Sequence, residues 1–136
     1  MGISVNNKIL VSLSAIGAQE SAATEETAEA IKQLLDYVAT YPDDGIIFRK
    51  SDMILAAHAD TCFPNESNSL SRSGAHIFLS ENDPKPKLNG PMLTIAKINK
   101  NVMASVAEAE MAALYITAKQ MIPLCNTPIK MGWPQP

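Results

Sequence analysis

Two cysteines, two histidines and one tryptophan are all that this chain of 136 residues holds of the types that build metal knuckles, disulfide frameworks and aromatic platforms. Cys62 and Cys125 lie far apart and neither has a second Cys or a His at zinc-site spacing, so neither a disulfide framework nor a zinc knuckle follows. No base in sequence stands ready to activate either thiol. Aromatic residues make up 5% of the chain, and Trp133 has no aromatic near it, which makes it a packing residue of the tail rather than a base-stacking platform. No apolar run approaches the roughly 18 residues of a membrane span, which argues against a membrane partner. A net charge of -3 argues against a strongly nucleic-acid-binding surface overall. Acidic residues also run out: between Met111 and Pro136 there is no Asp or Glu.

What is present is ordinary folded material, 46% hydrophobic and 18% charged, long enough for one modest core. Charge divides it unevenly. Residues 1 to 44 hold two basic and seven acidic side chains, and residues 45 to 136 hold nine basic and seven acidic ones. Lys85, Lys87, Lys97, Lys100, Lys119 and Lys130 fall in the second part, as a solvated surface or, alternatively, as phosphate contacts. The apolar start Lys8 to Ala18 is broken by Ser12 and Ser14, so the chain reads as intracellular, cytoplasmic or nuclear, with secretion as the alternative. Met1-Gly2 lacks the Ser or Thr that myristoylation wants, position 6 being Asn6. Asn65-Glu66-Ser67 is a glycosylation triplet only in a secreted chain.

Thr24 is placed to cap a helix whose first turn carries Glu25 and Glu26, whose apolar face is Ile31, Leu34, Leu35, Val38 and Tyr41, and which ends before Pro42. Ile46 to Phe48, Met53 to Asp60, Ala75 to Ser80 and Met92 to Ile98 read as strands, joined by polar segments rich in Pro, Gly and Ser. A long helix is expected from Asn101 to Met121. After it, Pro123, Pro128, Pro134 and Pro136 are expected to prevent a long regular element, leaving one or two helical turns between Leu124 and Met131. Strands in sequence followed by a helix give an α/β class with an α+β-like layout: an antiparallel meander, a long helix packed on it, and an N-terminal helix.

One carboxylate stands out. At about 100° per residue, Met103, Val106, Ala113, Leu114, Thr117 and Met121 share a face with Glu110, whereas Glu108 points away. Burying an unpaired carboxylate there costs several kcal/mol, so a cation, a metal or a proton is expected beside it. Asp60 closes the apolar strand from Met53 and shares a strand face with Ile54, Ala56 and His58. Two such carboxylates are half of an oxygen-ligand cluster suited to Mg²⁺. The plainer reading of Asp60 is a strand-end residue capping the next loop. His58 and His76 read as hydrogen-bonded sheet residues rather than ligands.

Thr24-Glu25-Glu26-Thr27 with Ile31 to Val38, Ser51-Asp52-Met53 through His58-Ala59-Asp60, Ser71-Arg72-Ser73-Gly74 through Leu79, and Ala107-Glu108-Ala109-Glu110-Met111-Ala112-Ala113-Leu114 occur in that order. Together they resemble a fragment of a copia-type LTR retroelement polyprotein, from the end of the reverse transcriptase (residues 1 to 44) into the first half of an RNase H-like domain (residues 45 to 136). The resemblance implies a truncated RNase H-like fold in which Asp60 and Glu110 are catalytic metal ligands for Mg²⁺, with an RNA-DNA hybrid as substrate. It also implies a third carboxylate on a following strand, which this sequence does not contain. Two readings follow: a Mg-dependent RNase H-type nuclease, or a catalytically incomplete remnant acting by interaction or self-association. Without that following strand the Met53 to Asp60 strand would be an apolar edge, which makes a homodimer the expected partner.

Overall fold

The computed structural model describes residues 7–63 and 70–136, and the Asn65 to Ser67 triplet lies outside them. The chain forms two compact units that divide between Ile46 and Ile47.

The first unit holds α1 (Leu10–Ala18) and α2 (Glu25–Thr40), linked through a short 3-10 turn at Glu20–Ala22. Helix α2 starts where its cap chemistry directs: Thr24 is extended, and its hydroxyl and that of Thr27 exchange hydrogen bonds with each other's backbone amides. Buried Thr27 also donates to Gln19 Oε1 at 2.8 Å. The apolar face expected of this helix is only partly the one used. Ala30, Leu34 and Tyr37 face Ile9, Ser12 and Ile16 across a cleft, whereas Ile31, Leu35, Val38 and Tyr41 stand exposed.

Lys8 Nζ meets Asp44 at 2.8 Å and 2.9 Å, and the Tyr37 hydroxyl donates to the same carboxylate at 3.1 Å. The hydrogen bond from Lys8 holds the Asp44 carboxyl below its ordinary range, with a further contribution from Tyr37, and the same pairing raises Lys8. A carboxylate lowered by folding adds stability above its unfolded pKa of about 3.9, and that contribution disappears as pH falls through the lower, folded value. Thermal melts of the wild type are therefore expected to lose stability below about pH 4 in a segment that Asp44→Asn lacks. Equal acid sensitivity in the two proteins would count against the pairing.

The second unit is an antiparallel sheet, β1 (Ile54–Cys62), β2 (Arg72–Ser80) and β3 (Pro91–Ile98), in the order β1-β2-β3, followed by α3 (Val106–Lys130). The class is mixed α/β, with the meander, the long helix on it and the N-terminal helix that the patterning implies. Ile54 pairs with Ser80 and Cys62 with Arg72; on the other side Arg72 pairs with Ile98, with a bulge at Ile77 and Phe78. On β1 and β2 the residues Leu55, Ser73, Ala75 and Ile77 are buried while His58, Asp60 and Cys62 are exposed. Since α3 packs on β1 and β2, it covers the face of Leu55, Ala57, Ala59, Ala75 and Ile77. The helix meets this face with its small residues, Ala109, Ala113 and Thr117, all buried.

Three expectations need correction. Ile46 to Phe48 is not a strand: the chain there is tied by a side chain, Asn89 accepting from Arg49 N at 2.7 Å and donating to Arg49 O and Leu79 O at 2.9 Å. The long helix begins at Val106, because Ser105 caps it by accepting from Glu108 N, and it runs through Pro123 and Pro128 to Lys130. A proline removes one helical donor and crowds one carbonyl, a cost met here by burying Pro128 in the core. The third concerns Glu110, which is exposed. Small side chains let the helix approach the sheet closely, so the packed line is Ala109-Ala113-Thr117, and the larger Val106 and Leu114 remain outside.

Candidate functional site

Asp60 lies near the end of β1 on the face of the sheet opposite the one that α3 covers. Its pair on β2 is Gly74, so no side chain stands across from it. Its carboxylate accepts a hydrogen bond from Thr61 N at 2.8 Å, the strand-end capping role of a short acidic side chain. His58 and His76 form a cross-strand pair on the same face, and both lie against Phe78, with ring centroids 5.5 Å and 5.2 Å away. His76 Nε2 is 2.9 Å from Asn89 O, which makes it a hydrogen-bonded sheet residue.

Glu110 is placed by the helix. Its neighbour Glu108 is committed to the cap, its carboxylate accepting from Ala104 N at 2.6 Å, so Glu110 is the acid of that helix start left for other chemistry. Ala112 and Ile116 line a cleft with Lys97 and Ile98, which puts that flank of α3 over the β3 side of the sheet. Glu110, about 120–160° around the helix from them, lies on the other flank, over the outer edge of β1.

Asp60 and Glu110 therefore border the same sheet edge from opposite faces, and both are exposed. Among the described residues no three His, Cys, Asp or Glu side chains gather to hold a metal ion. Two exposed carboxylates fall short of the converging oxygen ligands that Mg²⁺ and two-metal hydrolysis require, so the residues present do not fit that ion as a set. Neither Cys62 nor Cys125 takes part in a disulfide among the described residues.

The edge itself carries the feature that sequence patterning could not find. Gln135 donates its side-chain amide to Met53 O at 2.9 Å and accepts from Leu55 N at 2.7 Å, occupying the first rung of the outer side of β1 as a strand neighbour would. Alternation along the strand turns the backbone groups of Ala57, Ala59 and Thr61 to that same side. Thr61 N is taken by Asp60. Among the described residues nothing pairs with the outward groups of Ala57 and Ala59.

No protein-family model matches the chain, and no solved structure matches it. It is 27% identical over 111 residues to the retrovirus-related Pol polyprotein from transposon RE1 of Arabidopsis thaliana, a stretch that covers 80% of this chain. The aligned region is 7% of that polyprotein's length, so the chain corresponds to a small part of it. This likeness supports a retroelement polyprotein origin. No helix among the described residues is long and apolar enough to cross a membrane.

Proposed function

We propose that residues 47–136 are an RNase H-like remnant of a copia-type polyprotein that has lost nuclease chemistry and acts by self-association through the free edge of β1. The observation that carries this reading is the edge: two rungs, at Ala57 and Ala59, that no described residue fills, between a rung filled by Gln135 and an amide capped by Asp60. An unpaired, apolar strand edge is a template for another strand. A two-fold axis at His58 would pair Ala57 of one copy with Ala59 of the other, closing both open rungs and making one continuous six-stranded sheet. The two α3 helices would then run side by side on one face, bringing exposed Leu114 of each toward the other.

The second reading, a Mg-dependent nuclease acting on RNA-DNA hybrids with Asp60 and Glu110 as metal ligands, is favoured by one observation. Glu108 is spent on the helix cap, leaving Glu110 free at the position the family resemblance selects. Cleavage of a labelled hybrid in Mg²⁺ or Mn²⁺ separates the two. The remnant reading expects wild type, Asp60→Asn and Glu110→Gln to give the same background. Cleavage abolished by either substitution would establish the nuclease and show that its missing ligands come from elsewhere.

A further inference from the structure

We infer that the cleft between the end of β3 and the adjoining flank of α3 binds one unit of a single-stranded nucleic acid. It lies on the opposite flank of α3 from Glu110 and uses neither candidate carboxylate. Its floor is apolar, from Ile98, Met103, Ala112 and Ile116, and Tyr115 stands at its rim, 68% exposed. An exposed tyrosine ring beside an apolar slot is a stacking surface for a base.

Among the described residues that line the slot the charges have one sign. Lys97 and Lys100 both line it, and Lys119 follows Tyr115 by one helical turn on the same flank. None of the described lining residues is acidic. The acid at the head of that flank, Glu108, is turned onto Ala104 N. Lysines spaced along a groove are point-charge contacts for successive phosphates.

The wall that carries the lysines is fixed. Asn99 N donates to Ser71 O at 2.8 Å, and the Asn99 side chain, in a residue only 5% exposed, accepts from Ser73 Oγ at 3.0 Å. Asn99 Nδ2, itself buried, has no acceptor among the described residues.

The cleft holds about 250 Å³, below the roughly 300–1,000 Å³ of pockets that enclose whole ligands. It takes one base while the rest of the strand runs outside past the lysines.

Fluorescence anisotropy of labelled dT12 and rU12 with the full chain at low salt tests this. Saturable binding is expected, weakened at least about five-fold by Tyr115→Ala through lost stacking. Lys97→Ala with Lys100→Ala is expected to weaken it as well and to flatten the salt dependence by about 1.4 units of log-log slope. Circular dichroism checks that these exposed substitutions leave the fold intact. Absence of binding at low salt, binding indifferent to Tyr115, or displacement of the probe by poly-glutamate as readily as by unlabelled oligonucleotide would overturn the proposal. Because the cleft and the β1 edge lie on opposite flanks, loss of one behaviour with retention of the other tells their failures apart.

Discussion

Phe78→Ala is expected to lower the stability of the 47–136 unit by about 3–5 kcal/mol, read as a shift of the denaturant midpoint with its slope preserved. Phe78 and Ile77 are both 0% exposed although they point to opposite faces of the sheet. Ile77 lies under α3. Phe78 faces the side that α3 does not cover, where His58 and His76 flank its ring. Its ring packs against both imidazoles, so its loss leaves a cavity beside them. A small domain has only about 5–15 kcal/mol in total, so the variant should sit near the edge of folding. Phe78→Leu keeps much of the volume and should cost markedly less. A Phe78→Ala protein as stable as the wild type would mean that this face contributes no core.

Ala113→Leu is expected to destabilise the same unit by about 1–3 kcal/mol, whereas Glu110→Leu should change stability by no more than about 0.5 kcal/mol. The contrast reports which line of α3 meets the sheet. Ala113 is 1% exposed and lies between Ala109 and Thr117 against the small residues of β1 and β2, so three added carbons must push helix and sheet apart. Glu110 is exposed beside the sheet edge, where a leucine neither fills nor crowds anything. If Glu110 were at the centre of the buried line, replacing it with leucine would instead raise stability substantially, and chemical denaturation would rank the two variants the other way round.

That contrast also marks how far patterning reaches in this chain. Helix α2 is legible because its start has a chemical signature: a Thr cap, acids in the first turn, and Pro42 after its end. Three strands are legible from β-branched and aromatic runs bounded by Pro, Gly and Ser. The phase of α3 is not, because a hydrophobic stripe weighs residues by side-chain size, and this helix packs through its smallest ones while Met111, Leu114, Tyr115 and Ile122 remain exposed. Its length is hidden as well, because Pro123 and Pro128 look like stops, and local propensity yields where a proline is buried by packing. Three apolar residues make Ile46 to Phe48 look like a strand, but a strand needs a partner backbone, and what waits there is the Asn89 side chain. The hydrogen bonds of Gln135 to Met53 and Leu55 span about 80 residues of sequence and have no local signal at all. At the candidate site, residue type and order are enough to nominate Asp60 and Glu110. Their placement on opposite faces of one edge depends on strand parity and helix phase together, and an error in either moves a carboxylate to the wrong side.

Light scattering on a size-exclusion column tests most directly whether the open rungs of β1 join two copies of this chain. Wild type at high concentration is expected to give twice the chain mass of 14.6 kDa, and Ala59→Pro the single-chain mass with unchanged circular dichroism. Proline at that position removes an outward N–H that the native sheet does not use, a substitution edge strands accept. A wild-type protein that stays at the single-chain mass, or an Ala59→Pro protein that stays dimeric, would contradict self-association through this edge.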